Sequence, residues 1–117
     1  MKATTAEKLA ATYFESWLER DFGRLRAVLA DDVEFAGPLA SIRGADECVR
    51  GLEGLARITT GIDIQKVFVD GNDSLTWYDL STSVAETVPV ANWIHVEDDR
   101  ITRIRVAFDA RGLAAAQ

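Results

Sequence analysis

From Thr60 onward the hydrophobic period of the chain changes from helical to two, and this switch decides which architectures remain open. Before it, apolar residues recur at spacings of three and four. After it they alternate along Ile62–Val69, Leu75–Thr82, Val88–Glu97 and Ile101–Phe108. Asp70-Gly71-Asn72-Asp73, Val84-Ala85-Glu86-Thr87 and Asp98-Asp99 separate these runs and carry turn chemistry. The alternation slips at Gln65-Lys66, which predicts a bulge. Helices first and a long meander last is the α+β pattern.

The first half supplies the helices. Thr4 and Glu7 have the spacing of a capping box. Behind them Ala6, Leu9, Ala10, Tyr13, Phe14, Trp17 and Leu18 fall on one helical face. Its aromatics either pack a core or line a cavity, where the Tyr13 hydroxyl would serve a ligand. Asp21 caps a second helix with Phe22, Leu25, Val28 and Leu29 inside, closed by Asp31-Asp32. Val33–Ala36 follows as a short strand stopped by Gly37-Pro38, and residues 39–43 read as a loop. Ala45–Ile58 is the third helix, with Asp46/Arg50 and Glu53/Arg57 as i,i+4 pairs. Gly51 and Gly54 each cost that helix about 1 kcal/mol relative to Ala, and close packing on the sheet is the expected offset. The tail, 111–117, is Ala-rich and uncapped and is expected to fray. The expected order is α-α-β-α-β-β-β-β.

A chain of 117 residues is one domain, spanning 1–117. Its formal charge of −6, with no Lys/Arg cluster against it, argues against nucleic acid and anionic membrane as partners. Arg100, Arg103 and Arg105 read as a solvated strand face. Cys48 is the one cysteine and His95 the one histidine, so no internal disulfide forms and no metal site is expected. Cys48 reads as a small buried hydrophobe. No run is long enough to span a bilayer, and charges interrupt MKATTAEKLAATYF, so a cytoplasmic location is expected. Three helices cover only one face of the sheet. The other face keeps apolar groups, and its burial in a homodimer is expected.

Several polar residues are candidates for function. Asn92 shares a strand face with Val88, Val90, Ile94 and Val96, and a buried amide there needs structural partners or a ligand. Asp79 shares a face with Leu75 and Trp77. Burial would raise its pKa and make it a general base, whereas a solvated strand end would leave it inert. Asp109 follows Phe108 at the end of the last strand and is either an acid/base group or takes a capping or salt-bridge role with an Arg such as Arg105 or Arg111. Glu34 points away from Val33 and Phe35, towards solvent or an interface, and His95 reads as a surface or dimer-contact histidine.

The residues from Leu25 to Phe35 (LRAVLADDVEF), Ile42-Arg43-Gly44, and Asp99–Ile104 followed by Phe108-Asp109 together resemble the nuclear transport factor 2-like superfamily. Within it they are similar to the SnoaL-like polyketide cyclases, ketosteroid isomerases and limonene-epoxide hydrolases. The resemblance implies a cone-shaped α+β domain: three helices on a curved, mostly antiparallel sheet, around a deep apolar pocket, dimeric through the sheet and free of cofactor. In ketosteroid isomerases a Tyr and a protonated Asp hold the oxyanion while a second Asp moves the proton. The resemblance puts these on Tyr13, Asn92 and Gly37, so the base is missing. Epoxide hydrolases of this fold need an Arg between two Asp. The resemblance puts the acids near Asp79 and on Asp109, and Trp77 where the Arg would stand. In the cyclases an acidic residue near the end of the last strand is matched approximately by Asp109.

Two functions follow from these expectations. One is a cofactor-free cyclase, isomerase or hydrolase acting on a small apolar carbonyl or epoxide. Asp79 or Asp109 would be its acid/base, and Tyr13, Trp17, Trp77, Asn92 and Phe108 would contact substrate. The other is a ligand-binding or dimerisation module that keeps the cavity and lacks the chemistry.

Overall fold

Thr4 opens the first helix as its spacing predicts: its Oγ1 accepts from the Glu7 N–H at 3.1 Å, ahead of α1 (Thr5–Glu19). The computed structural model describes residues 4–115. Arg20 ends α1 in the left-handed conformation, and Asp21 caps α2 (Phe22–Val28) by accepting from the Arg24 N–H. The chain then enters β1 (Leu29–Ala36) directly, so Asp31-Asp32 lies inside a strand and does not close the helix.

Residues 39–43 are not all loop. Gly37-Pro38 reverses the chain, the Gly37 N–H donates to Ala40 O at 2.9 Å, and Ser41–Arg43 returns as β2, antiparallel to Glu34–Ala36. Gly44, at φ 102°, then starts α3 (Ala45–Ala56), a backbone geometry suited to glycine. The helix stops two residues short of Ile58. The expected ion pairs within it also differ. Arg50 pairs with Glu47, and Asp46 is bound by Arg26 of α2, which reaches Asp31 as well.

The second half is the meander: β3 (Thr59–Asp70), β4 (Asp73–Thr82), β5 (Val88–Glu97) and β6 (Arg100–Phe108). The register of β3 on β4 shifts between Ile64 and Lys66, where the alternation slipped. Asp98 and Asp99 both take positive φ, 51° and 59°, in the tight turn between β5 and β6. The tail is not frayed throughout. Asp109 Oδ1 accepts from the Arg111 N–H at 3.1 Å and starts α4 (Arg111–Ala115), whose Leu113 is buried.

The strands form one curved sheet ordered β2-β1-β6-β5-β4-β3. Every pairing is antiparallel except β1 with β6, which is parallel. Its inner face carries Tyr78, Leu80, Val90, Asn92, Ile94 and Ile104, all buried beneath the helices. Phe14 and Trp17 of α1 meet Tyr78 there edge-on and stack on each other, and Tyr13 packs edge-on against both, at centroid distances of 5.1–6.3 Å. Such pairs contribute roughly 0.5–1.5 kcal/mol each beyond area burial. Leu18, expected on this face, projects outward and is 43% exposed. The outer face keeps Phe68, Leu75, Trp77 and Trp93 in solvent at 56%, 41%, 44% and 39%.

Candidate functional site

Between α3 and the concave side of the sheet lies a cavity of about 480 Å³. The sheet supplies Phe35, Leu80 and Phe108 to its wall, and α3 supplies Cys48, Gly51, Leu52, Gly54 and Leu55. Gly37-Pro38-Leu39-Ala40 and Ile42 close one side, and Val84 with Leu113 of α4 closes another. The size suits a small organic ligand, and apolar walls are usual for such sites. A wider depression of about 780 Å³ lies between α2, the start of β1 and the β5–β6 turn. It is open to solvent, and its charged side chains, such as Arg26 and Asp31, already pair with one another.

The candidate residues divide among three places. Phe108 alone of them lines the cavity. Tyr13, Trp17 and Asn92 lie in the core around it. Trp17 donates from Nε1 to Thr59 Oγ1 at 3.1 Å, and that hydroxyl donates onward to Leu55 O at 2.8 Å, which fixes the indole as packing. Tyr13 and Asn92 meet a third group, Tyr78. Burial holds both phenols well above the ordinary tyrosine range. Nearby Cys48 and Tyr78 add to this for Tyr13, and the Asn92 amide works against it for both. Yet neither Oδ1 nor Nδ2 of Asn92 has a partner with hydrogen-bonding geometry, although the residue is 1% exposed.

Trp77, Asp79 and Asp109 lie elsewhere. Alternation along β4 puts Trp77 and Asp79 on the outer face, because Tyr78 and Leu80 take the inner one. Asp79 is only partly buried there, with the Gln65 amide at 3.4 Å from Oδ2. Asp109 stands just past the cavity wall, but its exposed carboxylate is gripped by the Arg111 guanidinium at 2.6 Å. That grip holds its pKa down to about 2, so it is a fixed anion at neutral pH. Among the described residues no carboxylate lines the cavity. The one ionisable wall group among the described residues is Cys48, whose thiol burial pushes up to about 11, far from a nucleophile at neutral pH.

His95 and Glu34 are surface groups. Asp73 Oδ1 accepts from Trp93 Nε1 and faces His95 Nδ1, each at 2.8 Å, and the Trp93 contact leads in lowering its pKa. Glu34 pairs with Arg43 across β1 and β2. Among the described residues no group of three or more His, Cys, Asp or Glu is placed to hold a metal ion. No described helix is long and apolar enough to cross a membrane.

Sequence reasoning missed the wall at Leu39, Ala40 and Ile42. The signal was present, since a segment that apolar is unusual for a solvated loop. Tyr78, which alternation along Leu75–Thr82 sets opposite Trp77 and Asp79, is a further companion of Tyr13 and Asn92.

Comparison with known proteins fits this geometry. A protein from Kribbella flavida DSM 17836 is 31% identical and superposes with a TM-score of 0.89, covering 97% of this chain and 94% of that one. A steroid delta-isomerase from Pseudomonas aeruginosa is 20% identical with a TM-score of 0.81, over 97% of this chain and 87% of that one. An LEH-like epoxide hydrolase from M. tuberculosis is 24% identical with a TM-score of 0.78, over 95% and 93%. At those identities the two enzymes show the shared fold. No curated protein matches the sequence. The family model for the SnoaL-like domain matches residues 10–104, most of the length, and the chain belongs to that family.

Proposed function

We propose that this protein binds a small apolar molecule in the cavity beneath α3 and holds it without carboxylate acid–base chemistry. The supporting observation is the composition of the wall, which offers apolar side chains, bare backbone and one protonated thiol. Gly37 occupies the wall position that the resemblance to ketosteroid isomerases gives to the proton-moving acid. Asp79 is across the sheet from the cavity, and Asp109 is neutralised by Arg111. Apolar ketones and epoxides titrated against the wild type, Asp79→Asn and Asp109→Asn test this. Equal binding by all three, with no product from any, is expected. Turnover that either substitution abolishes would overturn the reading.

One observation favours a second reading, a cofactor-free isomerase, cyclase or hydrolase. Tyr13, Tyr78 and the unpartnered Asn92 form a buried donor group that could hold an oxyanion without a raised carboxyl pKa. Ketone or epoxide turnover lost in both Tyr13→Phe and Asn92→Leu would establish it.

The outer sheet face suits a second copy of the chain. Phe68, Leu75, Trp77 and Trp93 leave an apolar centre in solvent. Asp70, Asp73 and Asp79 flank it on β3 and β4, and Arg103 and Arg105 flank it on β6. A two-fold axis along the strands sets the acidic side of one copy over the arginines of the other, the self-complementarity an isologous interface needs. Light scattering at micromolar concentration should report a dimer that Trp93→Glu converts to monomer, and a wild-type monomer would refute the interface. A free, buried thiol suits a reducing cytoplasm.

A further inference from the structure

The two glycines of α3 have different surroundings. A Cβ built on Gly51 would come within 3.1 Å of the Ile42 Cδ1, so close approach of β2 to the helix accounts for that position. A Cβ on Gly54 would meet nothing within 4 Å, and its φ is not in the left-handed region. Neither packing nor backbone geometry therefore asks for glycine at 54, and glycine in a helix interior is unfavourable. Gly54 is exposed where it borders the cavity, whose wall it shares with Gly51, Leu55 and Ile58. Phe35 and Phe108 belong to the same wall from the sheet side. We propose that Gly54 sets ligand size in this cavity: it bares one turn of helix backbone so that a broad apolar ring system can lie between α3 and the two phenylalanine rings. The inference rests on the cavity being a ligand site.

The test uses the full chain and N-phenyl-1-naphthylamine as a fluorescent probe, displaced by a series of cyclic ketones from cyclohexanone to cyclododecanone. Wild type, Gly54→Ala and Gly54→Leu are compared. The small ketone should bind all three alike. Affinity for the largest should fall on the order of tenfold with Ala, as one added methyl in a pocket does, and vanish with Leu. Gly54→Ala should also melt a few degrees higher, because the helix gains propensity. Should Leu fail to fold, the Ala variant still decides the matter. An unchanged size profile in the folded variants would overturn the role of Gly54 and leave the cavity reading intact. Failure of the wild type to bind the probe or any ketone would overturn both.

Discussion

A primary amide shut off from water with neither end bonded costs roughly 1–3 kcal/mol, and Asn92 is in that position. It sits at the middle of β5, opposite Thr76 on one side and Val106 on the other, where a leucine would fit the apolar surroundings. Asn92→Leu should therefore raise stability by about 1 kcal/mol. Chemical denaturation checks this, and a loss of similar size would mean that the amide is bonded in solution. Asn92→Asp should destabilise strongly, because it buries a carboxylate among apolar groups. The alternation of Val88, Val90, Asn92, Ile94 and Val96 made the burial of this residue legible in the sequence. Its companions were less legible: Tyr78 reaches it through the register of β4 on β5, and Tyr13 only through the crossing of α1 over the sheet, which no local pattern encodes.

Elements with their own chemistry could be read directly. The β3 bulge, the Asp70–Asp73 turn and the Asp98-Asp99 turn all declare themselves through broken alternation or turn-forming residues. β2 and α4 do not. Three residues are too few to show a period, and β2 exists because Gly37-Pro38 folds the chain back on β1. α4 is five residues long, too short to show a period, although the capping or salt-bridge role open to Asp109 pointed at the Arg111 contact that precedes it. The Asp98-Asp99 turn also gives a prediction. Two aspartates at φ 51° and 59° pay a steric cost that Asn-Gly avoids. Replacing the pair by Asn-Gly should stabilise the hairpin by roughly 0.5–1 kcal/mol, measurable as a higher melting temperature with an unchanged fold by circular dichroism.

At the scale of the whole molecule, the groups packed around the cavity's inner end give the protein an alkaline limit. The Cys48 thiol is raised from 9.0 to about 11, and both buried tyrosines lie above their ordinary 10.0. The unfolded chain releases these protons first, so stability is full below about pH 9 and falls as pH climbs towards 11. The thiol alone accounts for about 2–3 kcal/mol of that loss. Urea midpoints between pH 7 and 10.5 should show the decline, and Cys48→Ala should reduce it, leaving the part due to the tyrosines. A midpoint that stays level would show that the thiol is not shielded. The fold class followed from the period switch at Thr60. The volume and openness of the cavity did not, because they depend on the angle at which α3 lies over the sheet.

The parallel pairing of β1 with β6 bears on the order of events during synthesis. Leu29 lies beside Ile101 and Ala36 beside Arg105, so β1 has its main-sheet neighbour only once residues as far as Arg105 have left the ribosome. Until then α1, α2, α3 and the β1–β2 hairpin have only one another to pack on, and the α1 face that lies over β4 and β5 has no sheet beneath it. The meander from β3 to β6 is built from neighbours in sequence and can form as it emerges. Folding of this protein is therefore expected to run backwards relative to translation, with the C-terminal half providing the surface on which the N-terminal half finally settles.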